Sequence, residues 1–179
     1  MRSKILAAAA VVCLGGAMLT ACGQQPAEQV EAEPEAAPAP AYDLSPESNA
    51  KYLTDNAAKD GVTVLPSGLQ YRVLQTGMGD ALSSPEDMVK VSYAGRLIDG
   101  TVFDETMPGE TIEFPADGLI AGWVEALSLM KEGDEWELVI PSELGYGAFG
   151  AGGVIPPNQT LVFTMHLVEV TPVATPGAP

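Results

Sequence analysis

The C-terminal third of the chain combines apolar runs, glycines and paired prolines, and it constrains the fold more than any other part. Three segments carry this pattern: IAGWVEAL at 120–127, LVIPSELGYGAFGAGGVIPP at 138–157 and TLVFTMHLVEV at 160–170. Almost none of these side chains could act as a nucleophile or bind a metal. The composition therefore favours a site that binds an apolar peptide over one that performs acid–base or covalent chemistry.

The N-terminus has the pattern of an export signal. Arg2 and Lys4 precede an apolar run over residues 5–19, which is too short to span a bilayer comfortably. The run ends in LTAC at 19–22, which resembles the bacterial lipobox, where the cysteine is lipidated and becomes the first residue. We therefore predict a lipoprotein signal peptide over 1–21. An ordinary secretory signal followed by a chance cysteine is the alternative.

Lipidation of Cys22 would place the protein in the bacterial cell envelope. Gly23 follows the cysteine, whereas Asp at that position resembles an inner-membrane retention signal. We therefore expect an outer-membrane anchor facing the periplasm. Cys13 would leave with the signal peptide, so we expect neither a free thiol nor a disulfide, and the fold must hold by packing alone.

The chain is strongly acidic, with 8 basic and 24 acidic residues and a formal net charge of −16. Such a surface repels nucleic acid and anionic lipid headgroups. We therefore predict no nucleic-acid partner, and membrane contact through the N-terminal lipid only. In the simpler interpretation, the negative charge keeps the protein soluble. The alternative is that it attracts basic client proteins.

Composition divides the chain into a tether, a folded part and a tail. Residues 22–44 are rich in Pro, Ala and Glu and bury too little apolar surface to fold, so we predict a disordered tether there. Residues 172–179 form a similar disordered tail. A short helix is predicted over 45–61, because Ser45 is a good N-cap and Pro46 suits the first helical position.

The remaining pattern predicts an α+β fold, with a twisted antiparallel sheet curled around one short central helix. Residues 62–86 form a lead-in segment with one strand, in which Leu69, Tyr71 and Val73 alternate with polar residues. Further strands are predicted at 88–97, 101–104, 111–114, 135–140 and 160–170. The apolar face at 119–130 predicts the central helix.

The sequence lacks the residues that common catalytic classes need. His166 is the one histidine, and we expect it to face solvent or lie at a sheet edge. No GxSxG-like elbow accompanies it, and the three or four nitrogen or sulfur ligands of a zinc site are missing. There is no P-loop and no GxGxxG that opens a helix. We therefore predict neither a metal nor a cofactor.

Several motifs resemble the FKBP-type peptidyl-prolyl cis-trans isomerases in order and spacing. They are VSYAGRL with DGTVFD, then LIAGWVEAL, ELGYG and GGVIPPNQTLVF. The resemblance covers about residues 87–170, with a weaker lead-in from Leu65, and implies an FKBP-type isomerase domain over 87–171. Within that family, the chain is similar to bacterial envelope members related to the macrophage infectivity potentiators. Larger relatives of that type dimerise through long N-terminal helices, for which this chain has too little room, so we expect a monomer.

The resemblance implies a shallow apolar pocket with named residues. The implied catalytic residues are Tyr93, Phe103, Asp104, Trp123, Tyr146 and Phe163. The implied substrate contacts are Ile112, Phe114, Leu119, Ile120, Val154 and Ile155. Trp123 is expected at the pocket floor, with Asp104 as a buried acid beside it. The backbone N–H of Ile120 and the phenol of Tyr146 are expected to bind the peptide backbone.

Each of these residues also has a purely structural interpretation. On pattern alone, Trp123, Phe103 and Phe163 are core residues, Asp104 is a turn acid and Tyr146 is a packing residue. The chain also departs from the family pattern, because Ile112 stands where an aromatic is common. No arginine is present at 105–111 to pair with Asp104, so backbone or tyrosine donors are expected to hold its carboxylate.

The implied function is acceleration of prolyl isomerisation in exported, proline-containing polypeptides. Catalysis of this kind needs no bond to be made or broken, which fits a pocket of Trp, Phe, Leu and Ile. A periplasmic chaperone or binding module with the same fold and little isomerase activity is the first alternative. A structural envelope lipoprotein that merely has this fold is the second.

Overall fold

The structure is a computed structural model that describes residues 42–173. The predicted signal peptide, the lipidation site Cys22, most of the predicted tether and residues 174–179 of the tail lie outside the described residues. Within 42–173, no helix has the length and apolar character that crossing a bilayer requires. The same part of the chain contains no group of three or more His, Cys, Asp or Glu side chains that could hold a metal.

Residues 42–173 form two α-helices and seven strands. The helices are α1 (Pro46–Ala57) and α2 (Ala121–Leu127). The strands are β1 (Val62–Val64), β2 (Gln70–Gln75), β3 (Met88–Leu97), β4 (Val102–Glu105), β5 (Ile112–Pro115), β6 (Glu135–Ile140) and β7 (Leu161–Thr171). Single 3-10 turns occupy Ala116–Gly118, Ser142–Leu144 and Gly147–Phe149.

All strand pairs are antiparallel, in the order β1-β2-β6-β7-β3-β4, with β5 on the other end of β3. The long strand β3 pairs with β7 along its whole length and with β5 and β4 through its two halves. Gly95 of β3 lies opposite Phe163 of β7 and Asp104 of β4. The predicted α+β class is thereby confirmed, and this register gathers the pocket residues.

The two faces of the sheet are covered differently. On the inner face, α2 packs on the main core, where Trp123, Ala126 and Leu127 meet side chains such as Leu138 and Met165. On the outer face, a smaller cluster is covered by α1 and the residues before it. Its members are Ile98, Val139 and Val162, with Tyr42, Leu44, Tyr52 and Leu53 packed against them. Alternation along β6 and β7 separates the two clusters, because neighbouring residues point to opposite faces.

Helix α1 begins as its sequence predicts. The Ser45 hydroxyl accepts a hydrogen bond from the Ser48 N–H at 3.2 Å, and Pro46 occupies the first turn. Buried amides then fix the helix to the domain. Asn49 Nδ2 donates to Gln159 Oε1 at 3.1 Å, and Asn56 Nδ2 donates to Gln70 Oε1 at 2.8 Å.

Three local predictions need correction. The lead-in segment is a hairpin rather than one strand, because Gly68 at φ +94° turns the chain between β1 and β2. Helix α2 is shorter than predicted, since Ile120 is extended and acts as its N-cap while Ser128 caps its end. The tether prediction ran to residue 44, but Tyr42 packs edge-on against Tyr52 at 4.9 Å and so belongs to the folded part.

His166 lies on the outer face of β7, which is a central strand between β3 and β6. Its side chain is half-buried, opposite Ser92 on one side and Glu135 on the other. Of the two positions expected for His166, the sheet edge is wrong, and exposure to solvent is only partial, since the side chain lines a surface depression. A bulge at Val168, between the pairs formed by Leu167 and Glu169, shifts the register of β7 against β3.

Candidate functional site

A pocket of about 420 Å³ opens between α2, β3, β4 and the loop that follows β6. Its lining is mostly aromatic and aliphatic. The lining residues are Tyr93, Phe103, Asp104, Phe114, Gly118, Leu119, Ile120, Trp123, Tyr146 and Phe163. All six expected catalytic residues and three of the six expected substrate contacts lie in this wall.

Trp123 forms the floor of the pocket. It sits in the first turn of α2 and is only 4 % exposed. Its ring meets three others edge to face, with centroids 4.9 Å from Tyr93, 5.1 Å from Phe163 and 6.5 Å from Phe114. The indole Nε1 is buried and has no hydrogen-bond partner within residues 42–173. The floor therefore offers a bound group an aromatic surface and no polar atom.

Phe103 and Phe163 form one wall, and Gly95 makes room for both. Their rings lie 5.5 Å apart at 87°. A Cβ on Gly95 would come within 2.6 Å of Phe163 Cε1 and 2.8 Å of Phe103 Cε2. No side chain fits there, so the glycine is required for the aromatic packing. Sequence reasoning quoted the VSYAG motif but missed this role of its glycine.

Tyr93 and Asp104 form the polar edge of the pocket. The Tyr93 hydroxyl donates to Asp104 Oδ2 at 2.6 Å. Burial, the hydrogen bond to Asp104 and its charge together raise the pKa of Tyr93 well above its usual value of 10.0. Asp104 is exposed, so the prediction of a buried acid is wrong. The residue is exposed because it lies on β4, a short strand at the edge of the sheet. A tyrosine donor holds it, as the missing arginine led us to expect.

Thr106 fixes the backbone of Tyr93 from the other side. The Tyr93 N–H donates to Thr106 Oγ1 at 3.1 Å, and the Thr106 N–H donates to the Tyr93 carbonyl at 2.9 Å. Thr106 directly follows β4, and its side-chain oxygen takes the place of the backbone carbonyl that would accept from Tyr93 in a regular strand pair. Nothing in the sequence marked Thr106 for this role.

Leu119 and Ile120 line the pocket where α2 begins. Ile120 has φ −61° and ψ 148°, and its carbonyl accepts the first helical hydrogen bond from the Trp123 N–H at 2.9 Å. The first amides of a helix have no intrahelical acceptor. Ile120 lies in the pocket wall, so its N–H is a candidate donor to a bound ligand.

Tyr146 lies on the opposite side, in the loop between β6 and β7. It is 39 % exposed and lines the pocket, so we expect its hydroxyl to be available to a bound ligand. Together with the Ile120 amide, it is a second candidate neutral donor in a pocket whose other polar groups are those of Tyr93 and Asp104.

Three expected substrate contacts lie outside the pocket wall. Ile155 is 6 % exposed and belongs to the main core, because its amide and carbonyl both pair with Ala151 and fix the loop. Val154 is 59 % exposed, and Ile112 at the start of β5 is 40 % exposed. Gly118, which sequence reasoning missed, lines the pocket instead. It lies in the 3-10 turn before Leu119, a connection that the sequence pattern did not reveal.

The ionisable residues in this wall are Tyr93, Asp104 and Tyr146. His166 lines a different depression on the outer face, behind Tyr93. The pocket thus has one carboxylate, already hydrogen-bonded, and no imidazole, thiol or amine to pair with it. Its arrangement suits binding and orienting an apolar, amide-containing ligand.

An antiparallel sheet wrapped over a short helix, with an aromatic pocket at the start of that helix, defines a small α+β domain with one apolar, concave site. A family model described as FKBP-type peptidyl-prolyl cis-trans isomerase matches residues 79–168. A second model, the domain amino-terminal to FKBP-type peptidyl-prolyl isomerase, matches residues 14–73. The chain belongs to the FKBP-type peptidyl-prolyl cis-trans isomerase family, which confirms the resemblance seen in its motifs.

Individual relatives agree with this assignment. The FKBP-type 22 kDa peptidyl-prolyl cis-trans isomerase of Escherichia coli (strain K12) is 54 % identical over 121 residues, covering 67 % of this chain and 58 % of the relative. The outer membrane protein MIP of Legionella longbeachae is 48 % identical over 120 residues, covering 66 % and 51 %. The chain thus spans a little over half the length of these relatives.

Solved structures show the same fold. A peptidyl-prolyl cis-trans isomerase from Pseudomonas syringae pv. tomato str. DC3000 superposes with a TM-score of 0.66 at 37 % identity, over 70 % of this chain and 92 % of that one. FkpA from Escherichia coli gives a TM-score of 0.67 at 43 % identity, over 70 % and 59 %.

Proposed function

We propose that this protein is a peptidyl-prolyl cis-trans isomerase that acts on proline-containing polypeptides. The observation that carries the proposal is the pocket itself: Trp123 lies under a ring of aromatic walls, and no acid–base pair accompanies it. Such a pocket suits a reaction in which a bond rotates and no bond is made or broken.

Rotation about the peptide bond is slow because amide resonance gives a barrier of about 18–20 kcal/mol. For an X–Pro bond the cis and trans forms differ by only about 0.5–1 kcal/mol, so a catalyst must favour the twisted state over both. Twisting removes conjugation and reduces charge separation in the amide. A water-excluding aromatic pocket therefore disfavours the planar forms more than the twisted one.

The pocket's donors orient the peptide while the bond turns. In the proposed complex the prolyl ring rests on Trp123, and the Ile120 N–H and the Tyr146 hydroxyl bind carbonyls on either side of it. Fixing the flanking backbone lowers the entropic part of the barrier. Phe103, Phe114, Leu119 and Phe163 exclude water from the rotating amide.

Tyr93 and Asp104 would act as positioning residues at the edge of the pocket. Their hydrogen bond holds the Tyr93 ring against Trp123 and Phe163. Neither group needs to exchange a proton for the reaction to proceed.

We also propose a place for the protein in the cell. The lipobox-like LTAC sequence supports lipidation at Cys22, and one relative is named an outer membrane protein. The protein would then be a periplasm-facing lipoprotein that assists the folding of exported polypeptides. A monomer is proposed as well, supported by the shortness of α1, which has 12 residues.

Refolding assays separate isomerisation from a simple chaperone role. The test uses an unfolded client whose slow folding phase is prolyl isomerisation and a second client that aggregates for other reasons. The isomerase proposal predicts that substoichiometric protein accelerates the slow phase, and that Trp123→Ala with Tyr146→Phe abolishes this effect. Suppressed aggregation without any acceleration would favour the chaperone alternative.

A further inference from the structure

A second cavity, of about 640 Å³, lies on the outer face of the sheet beside α1. It shares no lining residue with the pocket around Trp123. Its character is set by two tyrosines, three cations and a carboxylate that two of the cations share. These residues are Tyr42, Tyr52, Lys59, Arg72, Arg96 and Glu137, and we call the cavity the outer pocket.

The strand register brings the two arginines to opposite sides of Glu137. Arg72 of β2 is the antiparallel partner of Glu137 of β6. Arg96 of β3 is the partner of Val162 of β7, the strand that lies between β6 and β3. Val162 also pairs with Val139, which is two residues from Glu137. Because paired residues and residues two apart share a face, all three charged side chains lie on the outer face.

Glu137 holds both guanidinium groups in place. Its Oε1 accepts from Arg72 Nη2 and its Oε2 accepts from Arg96 Nη2, each at 3.1 Å. A guanidinium has five N–H donors, so both arginines retain donors for another acceptor. Arg72 Nε is buried and has no hydrogen-bond partner among residues 42–173. The groups of the domain therefore leave the Arg72 guanidinium incompletely satisfied.

Positive charge is concentrated here in an otherwise acidic domain. Residues 42–173 contain six lysines and arginines and twenty acidic residues. Three of the six cations line the outer pocket, beside only two carboxylates, those of Asp99 and Glu137. Lys59 forms no ion pair with any residue that the structure describes. The lining therefore carries one net positive charge, which one carboxylate of a ligand would balance.

The tyrosines add a flat, largely apolar wall to these cations. Tyr42 and Tyr52 meet edge to face with ring centroids 4.9 Å apart, and Lys59 Nζ lies 5.5 Å from the centroid of the Tyr52 ring. Leu97 and Ile98 add aliphatic lining. Cavities of roughly 300–1,000 Å³ with apolar walls and a few polar groups are typical of sites for small organic ligands. An inorganic ion would leave most of this volume unfilled.

We propose that the outer pocket binds a carboxylate attached to an aromatic or aliphatic group. Arg72 and Arg96 bind the carboxylate, because planar guanidinium groups match its two oxygens. Lys59 adds a third positive charge, and the apolar part of the ligand lies against Tyr52 and Leu97. A free organic acid and the C-terminus of a polypeptide both supply this chemistry. The inference is independent of prolyl isomerisation, since the two pockets share no residue.

A phosphate is a poorer occupant than a carboxylate. A phosphate monoester carries about two negative charges at pH 7. Glu137 lies between the two arginines, so it repels the second charge of such a ligand. Tighter binding of phosphate than of a carboxylate would therefore overturn the inference.

The test is an NMR titration of the purified full chain with N-acetyl-phenylalanine, with its neutral amide and with inorganic phosphate. We expect the acid to bind at least about tenfold more tightly than the amide, because the amide lacks the charge that strengthens hydrogen bonds to arginine. Arg72→Gln and Arg96→Gln should each weaken binding of the acid by about tenfold and leave binding of the amide unchanged. Each variant keeps one arginine on Glu137, so the domain should stay folded.

Lys90→Gln is the matched control, because it also removes one paired cation but lies outside the outer pocket. It should leave the affinity for the acid unchanged. Binding of the acid should also persist in the Trp123→Ala, Tyr146→Phe variant, whose changes lie in the other pocket. Equal affinities for acid and amide, equal losses in Lys90→Gln and Arg72→Gln, or loss of binding in the Trp123 variant would overturn the inference.

A further probe, N-acetyl-Gly-Gly-Phe, distinguishes the two sources of the carboxylate. Binding at least as tight as that of N-acetyl-phenylalanine would support the C-terminus of a polypeptide as the ligand. Weaker binding of the tripeptide, with the acid still preferred over its amide, would support a free organic acid.

Discussion

The Tyr93 hydroxyl donates a 2.6 Å hydrogen bond to Asp104 across the edge of the pocket. The two residues lie on neighbouring strands, and the bond holds an aromatic wall whose ring also contacts Trp123 at 4.9 Å. The bond joins a phenol donor to a carboxylate acceptor. It stabilises the wall, and no proton has to be transferred between the two groups. Its removal should therefore affect the geometry of the pocket more than the stability of the fold.

Asp104→Leu is expected to reduce prolyl isomerisation strongly, on the order of tenfold, while the domain stays folded. The carboxylate is exposed and the Tyr93 hydroxyl that loses its acceptor is only half-buried, so circular dichroism and the melting temperature should change little. Tyr93→Phe should have a similar effect, and the double variant should lose little more than either single one, because both act through one bond. Fully additive losses would contradict a shared role.

Gly95→Ala is expected to destabilise the domain by about 1–3 kcal/mol and to weaken peptide binding. A Cβ there would overlap the rings of Phe163 and Phe103, which are packed against each other, so both rings would have to shift toward the pocket that they line. Denaturant unfolding measures the first effect and peptide anisotropy the second. The control is Gly109→Ala, which has open space around its Cβ position, has φ +81° and should leave peptide affinity intact.

The rate of isomerisation should be nearly independent of pH between 6 and 8. The raised pKa of Tyr93 keeps its hydroxyl protonated throughout this range, and no pocket residue acts as a titrating base. At alkaline pH, in contrast, the stability of the folded protein should depend on pH. Because the folded pKa of Tyr93 is raised, its contribution is complete below about pH 10, the unfolded value, and is lost as the pH rises through the folded value.

Unfolding in denaturant at pH 8 and at pH 11 tests the alkaline prediction. The wild-type protein should lose more stability between the two than Tyr93→Phe does. Equal losses in both proteins would show that the phenol is not preferentially protonated in the folded state. A rate that rises steeply with pH near neutrality would instead indicate a general base.

Asn49→Ala is expected to destabilise the domain by about 1–3 kcal/mol without changing the pocket. The Asn49 side chain donates to Gln159 and accepts from the Thr160 N–H at 2.7 Å, and its loss leaves these buried groups unpaired. Because α1 lies on the outer face, turnover per folded molecule should be unchanged. Loss of activity in the folded variant would show that α1 supports the pocket.

Much of the fold follows from local pattern. The strand Glu135–Ile140 was predicted with its observed bounds, because every second side chain points into a core and the segment ends at Pro141. Tertiary interactions determined the parts that were missed. The hairpin of β1 and β2 depends on a left-handed glycine, and the bulge at Val168 depends on the register with β3.

The site residues that lie in family motifs could be predicted, because motifs in the same order and spacing indicate the same arrangement of side chains. Trp123, Phe103 and Phe163 are set by recognisable sequence steps, and the structure brings their rings together. The roles of Gly95 and Thr106 depend on contacts across strands that no local pattern reveals. Ile155 was misplaced because a loop can turn an apolar side chain toward the core as easily as toward a ligand.

The central claim, that the pocket catalyses rotation of a prolyl amide, is tested most directly by exchange NMR on a short proline peptide. The cis–trans exchange rate is measured with the wild-type chain and with a folded Trp123→Ala, Tyr146→Phe variant at equal concentration. We predict fast, catalytic exchange with the wild-type protein and a loss of at least about a hundredfold in the variant. Exchange at the uncatalysed rate with the folded wild-type protein, or equal rates for both, would contradict the account.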